Sequence, residues 1–79
     1  MWSEGSIGNV KGGKGICHYW VKHYDEPSAY GINGGKISKL RIEKDGVPTC
    51  IYDRGWDIKP EDDDEMTNLT LCILLNNYN

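Results

Sequence analysis

The chain has 79 residues, 38% hydrophobic and 27% charged, with a formal charge of −3 at neutral pH. That is enough for a single domain, 1–79, with one modest core, and it is a globular rather than a disordered composition. No apolar run approaches the roughly 18 residues that cross a bilayer, and Met1-Trp2-Ser3-Glu4-Gly5 is too polar for a secretory signal, so a soluble cytoplasmic product is expected, with no membrane role.

Residues 1–15 are rich in glycine (Gly5, Gly8, Gly12, Gly13, Gly15), and a short edge strand is expected near 5–11. A hairpin turn at Lys11-Gly12-Gly13-Lys14 follows. A phosphate-binding glycine loop is the sharper alternative, but the spacing is not that of a P-loop and no helical pattern follows.

Residues 15–25 carry the clearest strand signal. Cys17, Tyr19 and Val21 alternate with His18, Trp20 and Lys22, a period of two in a β-branched and aromatic run. The first set is expected to face the core, which leaves Trp20 and Tyr24 beside His18 and Lys22; a one-residue error would exchange the two faces. Two bulky rings on a nominally solvated face point to a ligand or a second subunit covering it.

Asp25-Glu26-Pro27-Ser28 breaks the strand, and residues 29–32 are expected to form a brief strand leading into Asn33-Gly34-Gly35. That triplet is the strongest turn signal in the chain, because these residues accept positive φ at little cost. A basic strand follows over 36–44, with Leu40 and Ile42 inward, and backbone N–H groups of the turn beside Lys36, Lys39 and Arg41 suggest a seat for an anion. Asp45-Gly46 is a second hairpin turn, and residues 47–53 return as a strand with Pro48 near its start. Tyr52-Asp53-Arg54-Gly55-Trp56-Asp57 reads as a bend out of the sheet, with Trp56 anchoring the crossing and Arg54 paired with Asp53 and Asp57.

Residues 60–77 are expected to form the one helix. Pro60 suits its first turn, Asp62 and Glu65 have capping-box spacing, and Glu61–Glu65 would sit at the positive end of the helix dipole. Met66, Leu69, Ile73 and Leu74, with Cys72 and Leu75, supply an apolar stripe that Leu71 widens. The nine bases all precede residue 60, where seven acids leave +2, whereas 61–79 holds five acids and no base. Three cysteines without C-x-x-C spacing (Cys17, Cys50, Cys72) lie in apolar runs, which fits free, buried thiols in a reducing compartment.

The fold class these elements define is α+β: a twisted antiparallel sheet of four or five strands packed by one C-terminal helix. A metal site from Cys17, His18, His23, Asp25 and Glu26 is disfavoured, since two histidines five apart on a strand face opposite ways. No nucleophile elbow or Cys-Gly signature surrounds a serine or cysteine, so no enzyme, no cofactor and no metal are expected. What remains is a nucleotide-type site: Trp20, Tyr24, Tyr30 and Trp56 to stack on a base, and Lys36, Lys39 and Arg41 to neutralise phosphate. The expected ligand residues are Trp20, Tyr30, Asn33, Gly34, Gly35, Lys36, Arg41 and Trp56.

Residues 28–40, Ser-Ala-Tyr-Gly-Ile-Asn-Gly-Gly-Lys-Ile-Ser-Lys-Leu, together with Tyr52-Asp53-Arg54-Gly55-Trp56, resemble small uncharacterised proteins, domains of unknown function, of Gram-positive bacteria and their phages and mobile elements. The resemblance implies a free-standing small domain and carries no catalytic residue across. A phage setting implies a compact anti-defence protein, of the sponge type that sequesters nucleotide signals or the anti-CRISPR type that blocks a host protein. The expectation is therefore a non-enzymatic, homo-oligomeric protein that sequesters a small phosphorylated or nucleotide ligand, with direct nucleic-acid binding not expected. The alternative is a protein–protein inhibitor that uses the acidic residues 61–65 to mimic nucleic acid.

Overall fold

The turn at Asp45-Gly46 shows how local chemistry builds this protein. Both residues sit at positive φ, 54° and 83°, as a tight two-residue hairpin requires, and they join two antiparallel strands in the middle of the sheet. The computed structural model of the chain describes residues 1–8 and 16–79. Within them lie β1 (Trp2–Gly8), β2 (Ile16–His23), β3 (Ile37–Lys44), β4 (Val47–Asp53), β5 (Trp56–Ile58) and α1 (Glu65–Tyr78). The strands pair in the order β1-β2-β3-β4-β5, every pair antiparallel, and α1 packs across one face on β2 and β3. The fold is α+β. The expected turn at Lys11–Lys14 and the glycines around it lie outside the described residues.

The alternation in β2 sets the two faces. Cys17 and Val21 are fully buried under the helix with Leu40, Ile42, Cys50 and Tyr52 from β3 and β4, and Ile32, Ile37 and Leu74 complete this core. Each large aliphatic side chain withdrawn from water there contributes about 1.5–3 kcal/mol. Two bulges, after Lys22 and after Ile42, let the chain keep its inward set while the strand ends bend.

Five expectations are corrected. Residues 29–32 are not a strand. They belong to a long excursion between β2 and β3 that ends in a single 3₁₀ turn, Ile32–Gly34, in which Asn33 and Gly34 both adopt positive φ (52° and 71°). The segment after β4 does not leave the sheet: Arg54, at φ 58°, and Gly55 reverse the chain into β5, and Trp56 lies edge-on to Tyr52 at 5.0 Å. Asp53 pairs with Lys39 rather than Arg54.

The helix begins at Glu65, not Pro60, because Asp64 rather than Asp62 caps it: its carboxylate accepts from the Thr67 amide and hydroxyl and from Lys44 Nζ. Its inward stripe is also rotated from the expected one. Thr67, Thr70 and Leu74 are buried, whereas Leu69 is half exposed and Cys72 is exposed. The two threonines are tolerated because their hydroxyls are satisfied, Thr67 by Asp64 and Thr49, and Thr70 by the Met66 carbonyl.

Candidate functional site: a cationic pocket at the end of an open sheet face

Alternation along four strands places the residues not facing α1 in cross-strand rows. Trp2, Lys22, Lys39 and Asp53 form one row; Glu4, Trp20, Arg41 and Ile51 form the next; Ser6, His18, Glu43 and Pro48 form a third. Charges on this outer face pair locally: Lys39 with Asp53 at 3.6 Å, Arg41 with Glu43 at 2.7 Å, and His18 with Glu4 at 2.8 Å. Lys22 instead sits over rings, 5.9 Å from the Trp2 centroid and 5.6 Å from that of Tyr24.

The first row ends under the excursion that follows β2. There a cavity of about 180 Å³ is lined by Lys22, Lys39 and Arg54, by the rings of Tyr24 and Tyr30, and by Ser28 and Ser38. Each wall has a structural cause. Lys22 and Lys39 face each other in register across β2 and β3. Arg54 is brought round by its positive φ, its amide donates to the Ser38 carbonyl at 3.1 Å, and its guanidinium lies 5.9 Å from the Tyr30 centroid. The excursion is held in place by the buried Tyr52, whose hydroxyl donates to the Tyr30 carbonyl at 2.8 Å. Three cations line the cavity, one of them, Lys39, paired with Asp53, and together they favour a bound anion. The same field is felt by Tyr24, whose phenol is held below its ordinary range by a hydrogen bond from Lys22. Serine hydroxyls and aromatic faces beside clustered cations suit a phosphorylated ligand with a planar or sugar portion.

The expected site residues divide among four places. Tyr30 lies in the cavity, with Lys39 and Tyr24. Trp20 and Arg41 face each other in the next row of the outer face. Trp56 is on β5 against Tyr52, away from both.

Asn33, Gly34 and Gly35 form a turn in which two amides are already committed: Gly34 donates to the Gly31 carbonyl and Gly35 to that of Ile32. Lys36 follows the turn on an exposed stretch outside the cavity lining. The turn glycines serve packing instead. A side chain on Gly35 would meet the amide of Asn79, which donates to the Ile32 carbonyl and accepts from the Ile37 amide at 3.0 Å each. Lys22, Ser28, Ser38 and Arg54 also line the cavity and are not among the expected ligand residues. The one sequence signal for Lys22 is its alternation with Trp20 and Tyr24; Arg54 had none, because its placement needs the turn into β5.

The two histidines point to opposite sides. His18 bonds Glu4 and Ser6 on the outer face, whereas His23 bonds Ser3 and lies 4.7 Å from the Tyr78 ring of α1. Among the described residues no helix is long and apolar enough to cross a membrane. No curated protein and no solved structure gives a significant match to the chain. Over its whole length, residues 1–79, it matches the family model described as a domain of unknown function (DUF7678), and the chain belongs to that family.

Proposed function

We propose that this protein is a non-enzymatic binding protein that sequesters a small phosphorylated ligand, and that the ligand's phosphate occupies the cavity among Lys22, Lys39 and Arg54. The observation that carries the reading is the convergence of those three cations with Tyr24 and Tyr30 in one cavity at the edge of an open sheet face. The middle-chain resemblance to proteins of phages and mobile elements supports an anti-defence setting in Gram-positive bacteria. The buried free thiols of Cys17 and Cys50 support action in the cytoplasm; burial pushes the Cys50 thiol up to about 12. The same reading makes the protein a homodimer through the outward side of α1. The competing inhibitor reading loses one of its five acids, since Asp64 is engaged by Lys44 and Thr67, and Glu61, Asp62 and Asp63 precede the helix rather than forming its first turn.

Thermal denaturation with a panel of nucleoside and sugar phosphates tests the site. A ligand at a hundredfold its dissociation constant adds about 2.7 kcal/mol, which is a rise of roughly 10 °C or more for a domain this small. Arg54→Ala and Lys39→Ala should each abolish most of that rise while leaving the unliganded transition near its original temperature. A panel in which no phosphorylated compound moves the transition sinks the proposal, as does a shift that both variants retain in full.

A further inference from the structure

The cavity does not stop at its own walls. Lys39 also borders a shallower depression that reaches Trp2 and Arg41, and Trp2 and Arg41 border a third, of about 450 Å³, shared with Trp20 and Glu43. The three form one track along the outer face. Its two ends differ in chemistry: cations at the first row, and at the second the Trp20 indole beside Arg41, which pairs with Glu43 of the third. Rows two residues apart along a strand are separated by about 7 Å, comparable with the reach from phosphate to base in a nucleoside monophosphate.

The second row is built to hold a planar group in one orientation. Trp20 is half-buried and its indole rests on the His18 ring, with centroids 4.4 Å apart and planes tilted by 30°. Arg41 is exposed, but its Nε donates to Glu43 at 2.7 Å. That bond fixes the guanidinium and leaves its two terminal nitrogens to engage another partner. Paired N–H donors match the O6 and N7 acceptors of guanine, whereas adenine places an amino donor where guanine has O6.

Resting on the reading that the three-cation cavity holds a phosphate, we propose that the ligand is a guanine nucleotide, its base stacked on Trp20 and its O6/N7 edge read by Arg41, with Glu43 as the positioning residue. Trp2, diagonal to Trp20 on the same face, lies over the far side of the track.

Calorimetric titration of the unmodified chain with GMP, AMP and ribose 5-phosphate separates this proposal from the one it rests on. GMP should bind about tenfold or more tightly than AMP, the discrimination of one bidentate pair. It should exceed ribose 5-phosphate by a similar factor, the contribution of one stacked base. Arg41→Met, which keeps the apolar stem and removes the donors, should bring the GMP-to-AMP ratio close to one, and Trp20→Leu should draw both nucleotides toward ribose 5-phosphate. AMP binding as tightly as GMP, or GMP no tighter than ribose 5-phosphate, overturns the guanine assignment while the phosphate cavity stands. A GMP-to-AMP ratio unchanged by Arg41→Met overturns the assignment of Arg41. Flat titrations with all three compounds overturn both proposals.

Discussion

Asp64 gathers three donors on one carboxylate: Lys44 Nζ from β3 at 2.8 Å, the Thr67 amide at 3.1 Å and the Thr67 hydroxyl at 2.7 Å. Because the Thr67 proton is committed to Asp64, the Thr49 hydroxyl of β4 is the donor in its 2.8 Å bond to Thr67. Burial alone would raise the Asp64 pKa; the bonds from Lys44 and Thr67 outweigh it and hold the carboxyl below its usual range. The hydrogen bond to Asp64 in turn holds the Lys44 ammonium above its own. A carboxyl depressed in the folded state adds stability that is fully present above its unfolded value, about 3.9. That contribution is lost as the pH falls through the folded value. The share from Lys44 is present below its unfolded value and goes only as pH rises through the raised one. Asp64→Ala should therefore cost about 1 kcal/mol at pH 7, and its urea midpoint should converge on that of the parent as the pH is lowered below 3.9. Midpoints that differ equally at both pH values would show that charge plays no part in the cap.

At the scale of elements, the excursion between β2 and β3 uses its glycines for two different reasons. Gly34 sits at φ 71° with open space around its missing side chain, so its requirement is conformational. Gly31 has ordinary extended backbone, φ −73°, but a Cβ there would collide with the Gly35 carbonyl, so its requirement is space. Gly34→Ala should cost about 1 kcal/mol, and Gly31→Ala more, about 1–3 kcal/mol; urea melts that rank them the other way would refute the packing argument. The same contrast explains what could be read in advance. Asp45-Gly46, the inward set of β2 and the strand over 47–53 depend on neighbours in sequence and were legible. The type of turn at Asn33-Gly34 was legible too, but not what it joins. The start of α1 was not, because Lys44 of β3 holds Asp64 rather than Asp62. Thr67 entered the core with Thr49 of β4 as a partner that no helical periodicity reveals, whereas Thr70 satisfies its hydroxyl within the helix on the Met66 carbonyl. The cavity was hidden further still, since Lys22 meets Lys39 only through strand register and Arg54 arrives only through the turn into β5.

For the whole molecule, the proposed dimer can be sized. The outward side of α1 offers a half-exposed Leu69 with the partly exposed Ile73 one turn further on, whereas Leu71 packs against the core. A helix of 14 residues is only about 21 Å long, and a strip that narrow covers well under the ~800 Å² per partner of a standard interface. The association is accordingly weak, a monomer–dimer equilibrium expected at tens of micromolar, on the order of −6 to −7 kcal/mol. Sedimentation should show the dimer fraction rising with concentration and falling on Leu69→Glu; a single monomeric species throughout would remove α1 as an interface.

Asn79 adds a dimension of time to this architecture. Its side chain closes on Ile32 and Ile37, residues 47 and 42 positions earlier, and thereby clamps the excursion that carries Tyr30 over the cavity. The β3–β4 hairpin closes from contacts near in sequence, whereas this clamp waits until α1 has formed and docked. The proposed ligand cavity is thus expected to be completed late in folding, so that a partly folded chain with its sheet already assembled would not yet hold the proposed ligand.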